Sequence, residues 1–138
     1  MRVVLDTNVL VAGSYHRSSA SARVVNACRD GRLELLISPA IRSEYDYILP
    51  RAVRRSDELA RLNEMIAQAA SVTPRETPRV VETDPADDML LAAALAGNAA
   101  AVVTSDRAVL ELDPYSGIRV LTPSAFWDEF GRQIVGTQ

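Results

Sequence analysis

The feature that most constrains the fold is a set of short apolar runs with no alternation of apolar and polar positions. Each run is rich in branched aliphatic residues, and the runs cover residues 3–5, 35–37, 101–103 and 118–121. Strands of this composition are buried on both faces, which is typical of a parallel sheet covered by helices. Residues 79–81, Arg-Val-Val, form a weaker fifth candidate.

Stretches long enough for helices separate these runs, at residues 19–30, 39–50, 56–71, 86–97 and 123–132. Three helix starts carry a capping residue directly before a proline: Ser38, Asp84 and Thr122. Strands alternating with helices predict an α/β sandwich around a mainly parallel sheet of four to five strands. The length of 138 residues predicts one domain, residues 1–138.

The charged residues limit the class of ligand. All 15 basic residues are Arg, against 18 acidic residues, for a net charge of −3. A mildly acidic chain does not bind polyanions over its whole surface, so contact with nucleic acid requires a local Arg cluster or metal ions. The densest cluster is Arg51, Arg54 and Arg55, and phosphate binding and an ordinary solvated helix start explain it equally well.

Cysteine and histidine each occur once, as Cys28 and His16. This excludes a Cys/His zinc cluster, and a lone Cys forms no disulfide within the chain. Neither residue has the partners for a nucleophilic triad. The single Cys and the absence of a long apolar stretch predict a soluble, cytoplasmic protein with no membrane contact.

Acidic side chains collect where parallel strands end, the edge at which open α/β sheets bind ligands. One follows the first strand, one follows the strand at 101–103, and three open the fourth predicted helix: Asp6, Asp106, Asp84, Asp87 and Asp88. Each has a structural explanation when taken alone. Asp84 is an N-cap, Asp87 and Asp88 complement a helix dipole, and Asp6 and Asp106 begin a turn or a short helix.

Glu44 stands out by its place on a helix. With Ile41, Tyr45 and Ile48 it occupies one face of the predicted helix 39–50, and the other three side chains are apolar or aromatic. A carboxylate in an apolar stripe is costly unless it is paired or binds a cation. Glu44 is therefore expected to have a partner, whereas Asp46 forms an ordinary surface pair with Arg42.

Together these carboxylates repel one another, and the chain has no Lys to neutralise them. Divalent cations relieve such repulsion, and oxygen ligands favour Mg²⁺ or Mn²⁺ over zinc. Carboxylate-held metal suits phosphodiester hydrolysis. We expect the carboxylates of Asp6, Glu44, Asp88 and Asp106 to converge on one pocket.

The same residues resemble four motifs of the PIN domain family. Residues 3–10, Val-Val-Leu-Asp-Thr-Asn-Val-Leu, are similar to the first motif, which implies that Asp6 is a metal ligand supported by Thr7 and Asn8. Residues 38–45 resemble the second motif, with Glu44 as its acidic residue.

Residues 84–91 resemble the third motif of that family, and residues 103–106 the fourth. The third motif implies a metal ligand at Asp88, with Asp87 beside it as a supporting residue or the alternative ligand. The fourth implies an acidic position at Asp106, supported by Thr104 and Ser105. Four motifs in this order and at these separations are specific, although each alone is not.

The resemblance covers nearly the whole chain and is strongest to toxins of the VapC-like toxin–antitoxin type. It implies a three-layer α/β/α fold and Mg²⁺- or Mn²⁺-dependent cleavage of RNA. It also implies a homodimer and a cognate antitoxin protein. A non-toxin RNA-processing nuclease of the same family is one alternative. A Mg²⁺-binding phosphoacceptor signalling module is another, but such modules hold the phosphoryl group with a Lys that this chain lacks.

Overall fold

A computed structural model describes residues 1–75 and 85–136, with the backbone alone for residues 85–87. The candidate strand at 79–81 and the predicted cap Asp84 lie outside the described residues. No helix in the described part of the chain is both long and apolar enough to cross a membrane.

The described residues form a five-stranded sheet in which every neighbouring pair is parallel. The strands are β1 (Arg2–Leu5), β2 (Glu34–Ile37), β3 (Ala70–Ser71), β4 (Ala101–Val103) and β5 (Arg119–Leu121). Their order across the sheet is β3-β2-β1-β4-β5. The four predicted strands are therefore confirmed, and the parallel sheet with them.

Strand β3 was not predicted, and the helix expected to reach residue 71 ends at Ala67. The backbone of Ala70 and Ser71 pairs with Leu36 and Ile37 of β2. A two-residue strand carries no periodic pattern of its own, so only its partner strand identifies it.

Seven helices surround the sheet in the described residues. They are α1 (Thr7–Tyr15), α2 (Ala20–Arg29), α3 (Pro39–Ala52), α4 (Ser56–Ala67), α5 (Pro85–Ala96), α6 (Arg107–Leu110) and α7 (Pro123–Val135). The five predicted long helices are present, and the short helix after Asp106 is α6. Helix α1 was not predicted, because valines, Thr, Asn and Gly give it a weak intrinsic helix preference. It is held by packing against α2 and α3.

The connections from β1 to β2 and from β2 to β3 move towards one side of the sheet. The connection from β3 to β4 runs in the opposite direction and crosses to the other side of β1. Right-handed crossovers therefore place α5 on the face opposite α1 to α4. Helix α5 packs on β1, β2 and β4, while α7 packs on β4, β5 and α2. This is a three-layer α/β/α arrangement, as expected.

The core explains the absence of alternation in the strands. Val3, Val4 and Leu5 of β1 are completely buried, as are all three residues of β4. Because all strands are parallel, their carboxyl ends share one edge, from which α1, α3 and α6 begin. We call this the acidic edge, defined by Asp6, Glu44, Asp88 and Asp106.

Candidate active site at the acidic edge

Asp6 lies at the end of the central strand β1 and at the N-terminus of α1. Its backbone N–H donates to the carbonyl of Val103, and its carboxylate Oδ2 accepts a 2.7 Å hydrogen bond from the hydroxyl of Thr104. Both side chains are buried. The next strand of the sheet therefore fixes the position of the Asp6 carboxylate.

The Asp6 side chain forms no capping hydrogen bond, although Asp6 is the N-cap residue of α1. Other N-cap residues of this protein do cap: Ser19, Ser38 and Thr122 each accept a backbone N–H at 3.1 to 3.2 Å. Asp6 therefore lacks the well-formed capping hydrogen bond of those residues, although the N–H groups of Thr7 and Asn8 still favour its charged form.

Burial raises the pKa of Asp6 above its usual value, and the negative charge of Asp106 raises it further. The hydroxyl of Thr104 and the N–H groups of Asn8 and Thr7 oppose this increase. No guanidinium group of the described residues forms an ion pair with Asp6. The charged form of Asp6 is thus disfavoured in the apoprotein, and a nearby cation would favour it.

Thr104 also connects Asp6 to Asp106. The Asp106 backbone N–H donates to Thr104 Oγ1 at 3.0 Å, and Asp106 Oδ1 accepts the Ala108 N–H at 2.9 Å. Asp106 therefore does cap α6, as its structural explanation requires. Its side chain remains partly exposed at the acidic edge, and Ser105 is exposed beside it.

Glu44 has the partner that its position requires. Glu44 Oε2 accepts a 2.8 Å hydrogen bond from Thr7 Oγ1, which joins α3 to the residue directly after Asp6. Thr7 is almost completely buried and Glu44 is half-buried, while Asn8 is exposed. The resemblance predicts Thr7 as a support for Asp6, and its contact with Glu44 emerges only from the structure.

Tyr45 is a supporting residue that sequence reasoning assigned only to the core. Its hydroxyl donates a 2.5 Å hydrogen bond to the carbonyl of Leu5, the last residue of β1. The side chain is fully buried, and its pKa is raised well above the usual value, chiefly by burial and also by the charges of Cys28, Asp6 and Glu44. The neutral phenol thus ties α3 to the strand that presents Asp6.

Asp88 is buried near the N-terminus of α5, three residues after Pro85. The side chain of the neighbouring Asp87 lies outside the described residues, so the choice between the two as ligands stays a prediction.

The structure brings Asp6, Thr104 and Asp106 into one hydrogen-bonded chain and joins Glu44 through Thr7. Among the described residues, no three His, Cys, Asp or Glu side chains are grouped closely enough to hold a metal ion as they stand. The convergence of all four carboxylates on one pocket therefore remains a prediction.

The predicted Arg cluster is not part of the acidic edge. Arg51 lies in the last turn of α3, about 10 Å along the helix from Glu44, and its guanidinium stacks 3.9 Å from the ring centre of Tyr47. Arg55 pairs with Asp57 at 3.0 Å. Arg54 is exposed and forms no ion pair within the described residues.

Three solved structures with low sequence identity share this fold. The VapBC2 complex from Rickettsia felis, solved with a DNA fragment from its promoter, has a chain that aligns with a TM-score of 0.56 at 13% identity, covering 87% of this chain and 97% of that one. PAE2754 from Pyrobaculum aerophilum aligns with a TM-score of 0.58 at 15% identity, and the alignment covers 99% of this chain and 91% of that one. A domain of a functionally unknown protein from Methanocaldococcus jannaschii aligns with a TM-score of 0.53 at 19% identity, covering 88% of this chain and 89% of that one.

No curated protein sequence matches the chain significantly. A sequence model of the PIN domain matches residues 2–108, a span that includes all four predicted acidic positions. The chain therefore belongs to the PIN domain family.

Proposed function

We propose that this protein is a Mg²⁺- or Mn²⁺-dependent endoribonuclease and the toxin of a toxin–antitoxin pair. PIN domains are generally nucleases, which supports the hydrolytic class. The observation that carries the proposal is the buried Asp6 carboxylate, which forms no ion pair with an Arg of the described residues. A carboxylate held in this way is suited to a cation supplied from outside the chain.

The donor set fits magnesium or manganese in chemistry. Mg²⁺ is usually bound by one or two carboxylates, several waters and substrate phosphate oxygens, so a closed protein cage is unnecessary. When bound, a divalent ion lowers the pKa of water and stabilises the oxygen that leaves phosphorus.

In this proposal Asp6, Glu44, Asp88 and Asp106 hold the ion and its water, and the hydroxyl groups of two threonines set their orientation. Thr104 fixes Asp6 and the backbone of Asp106, and Thr7 fixes Glu44. Water attacks phosphorus, the bond to the 3′ oxygen breaks, and that oxygen takes a proton. The products then carry a 5′-phosphate and a 3′-hydroxyl.

RNA reaches this edge through local contacts, because the net charge of the chain is −3. Arg51 and the unpaired Arg54 are the best phosphate contacts of the predicted cluster, whereas Asp57 largely neutralises Arg55. Tyr47 is exposed beside Arg51 and offers an aromatic surface for a base.

The toxin assignment draws on the VapBC2 structure, in which a PIN-like fold is part of a toxin–antitoxin complex. We propose that a cognate antitoxin inserts a basic side chain among Asp6, Asp88 and Asp106 and so displaces the metal. We further propose a homodimer formed through an apolar helix face that includes α4, which sets two acidic edges side by side. The antitoxin complex and the homodimer are tested separately from cleavage.

The nuclease is tested by RNA cleavage with Mg²⁺, with Mn²⁺ and with EDTA, using paired variants. We expect Glu44→Gln and Asp88→Asn to reduce cleavage strongly. Asp46→Asn, on the exposed side of the same helix as Glu44, is expected to have no effect. Asp87→Asn decides which residue of the third motif is the metal ligand. If Asp87→Asn loses cleavage while Asp88→Asn stays active, the ligand is Asp87 rather than Asp88. Cleavage undiminished in EDTA would exclude the metal mechanism.

The toxin role is tested separately, by mixing the protein with the product of the neighbouring gene and measuring mass and cleavage. We expect the two proteins to form a complex in which cleavage is inhibited. Without the neighbouring gene product, we expect this protein to be a dimer. A monomer that binds no neighbouring product and stays active would refute the toxin role while leaving a non-toxin RNA-processing nuclease.

A further inference from the structure

A second polar cavity lies between α1, α2 and α4, away from the acidic edge. It has a volume of about 170 Å³, and its lining includes Arg17, Arg29 and Arg61 together with one acidic residue, Glu58. Three guanidinium groups therefore face a single carboxylate.

Glu58 does not neutralise all three arginines. Glu58 Oε2 is 2.8 Å from Arg29 and Oε1 is 3.4 Å from Arg61, so both carboxylate oxygens are engaged. Arg17 is exposed at the mouth of the cavity and forms no ion pair within the described residues. The cavity thus retains positive charge after its internal ion pairs are formed.

Hydrogen-bond donors also remain unused. Arg29 Nε is buried and has no acceptor among the described residues, so Glu58 does not satisfy the whole guanidinium group. Asn26 accepts from Arg29 through its Oδ1 at 3.4 Å, which leaves its amide N–H groups as donors at the cavity wall. Excess positive charge with spare donors is the chemistry that recognises a phosphate group.

The cavity is placed to act together with the acidic edge. Helix α1 begins at Thr7, which contacts Glu44, and Gly13 of the same helix lines the cavity. Six residues of α-helix rise about 9 Å, so a short single-stranded segment spans the two sites.

We propose that this cavity binds a backbone phosphate of the same RNA strand that is cleaved at the acidic edge. The identity of the ligand as RNA rests on the proposed function, whereas the capacity for phosphate does not. Arg17 supplies the exposed contact, and Glu58 pairs with Arg29 and Arg61. The cavity then sets which bond of a bound strand reaches the carboxylates.

The first test uses inorganic phosphate and NMR spectra of the backbone amides and the arginine side chains. We expect phosphate to shift the signals of Gly13 and Arg17 in the wild-type protein, with binding about tenfold weaker in Arg17→Ala and partly restored in Arg17→Lys. Arg23→Ala is the matched control, since Arg23 is exposed on α2 and absent from the cavity lining. Unshifted Gly13 and Arg17 signals would overturn the proposal.

The second test measures binding of a short single-stranded RNA as salt is increased, with Asp6→Asn in every protein to prevent cleavage. Loss of one phosphate contact lowers the slope of log affinity against log salt by about 0.7 for a single strand. We expect this change for Arg17→Ala and not for Arg23→Ala. An unchanged slope despite phosphate binding would mean that the cavity takes a small phosphate compound, and would overturn the assignment to RNA. Phosphate binding in a protein that does not cleave RNA would refute the nuclease alone.

Discussion

Two buried carboxylates of this protein, Asp6 and Glu58, have opposite surroundings. The charge of Glu58 is balanced by two guanidinium groups, from Arg29 and Arg61. Among the described residues Asp6 is balanced by a hydroxyl and by backbone N–H groups, and its pKa is raised by burial and by Asp106. Glu58 is thus neutralised by arginines, whereas Asp6 has no guanidinium partner in the described part of the chain.

This difference separates structural from functional carboxylates. Breaking a buried ion pair destabilises a protein, because it leaves a buried charge without its partner. Removing a buried charge that has no ionic partner stabilises a protein instead, because the cost of keeping that charge away from water is removed. Substitutions at the two sites are therefore expected to move stability in opposite directions, and only the substitution at Asp6 removes a proposed metal ligand.

The largest effect is expected for Asp6→Asn. Loss of a metal ligand should reduce RNA cleavage at least about a hundredfold, since loss of an outer partner of a ligand already costs about ten- to a hundredfold. The melting temperature should stay the same or rise by about 2 to 5 °C. A cleavage assay beside a thermal melt checks both, and an active Asp6→Asn protein would contradict the site assignment.

The same substitution should flatten the dependence of stability on pH. Because the pKa of Asp6 is raised above 3.8 in the folded state, the native protein holds this proton more tightly than the unfolded chain does. Stability then falls as pH rises from about 3.8 through the raised pKa, and this contribution vanishes in Asp6→Asn. Denaturation in urea at several pH values measures the difference.

Glu58→Gln should lower the free energy of unfolding by about 2 to 4 kcal/mol, because Arg29 keeps its charge in a buried position. The proposed metal ligands at the acidic edge are untouched, so the folded fraction should still cleave RNA in a Mg²⁺-dependent way. Glu64→Gln, on the exposed side of the same helix, serves as the control. Replacing Arg29 and Glu58 together by Met and Leu should recover much of the loss. If Glu58→Gln were as stable as the wild type, the ion pair would not be structural.

Thr104→Val tests the hydrogen bond that favours ionised Asp6. Without it the pKa of Asp6 rises further, so protons compete more strongly with the metal. We expect the Mg²⁺ concentration for half-maximal cleavage to increase about three- to tenfold at mildly acidic pH, and less at alkaline pH. Ser105→Ala, at the exposed neighbouring residue, should leave it unchanged. An equal increase at every pH would argue for a purely steric role of Thr104.

The smallest effect is expected for Arg61→Ala. The Arg61 side chain is 60% exposed and 3.4 Å from Glu58, whereas the Arg29 side chain is 21% exposed and 2.8 Å away. Loss of the exposed partner should cost at most about 0.5 kcal/mol, and the cost should shrink in high salt. A loss equal to that of Arg29→Ala in urea denaturation would show that both arginines balance the charge of Glu58.

Local residue chemistry was sufficient to predict four of the strands and the long helices with capped starts. The caps at Ser38 and Thr122 were predicted in this way and confirmed. The prediction of helix α1 failed because packing against α2 and α3, rather than intrinsic preference, holds Thr7–Tyr15 in a helix. Strand β3 was missed because two residues contain no pattern.

The order of apolar runs and helix-length stretches is enough to specify a layered parallel fold, because only strands buried on both faces need uninterrupted apolar residues. It also places Asp6 and Asp106 after strands, at the carboxyl edge of the sheet. The balance of each charge, by contrast, follows from tertiary packing. Nothing in the spacing pairs Glu58 with Arg29, or joins Thr7 to Glu44 and Thr104 to Asp6 across 37 and 98 residues. Such contacts depend on distances of about 3 Å between distant segments, which only the packed chain defines.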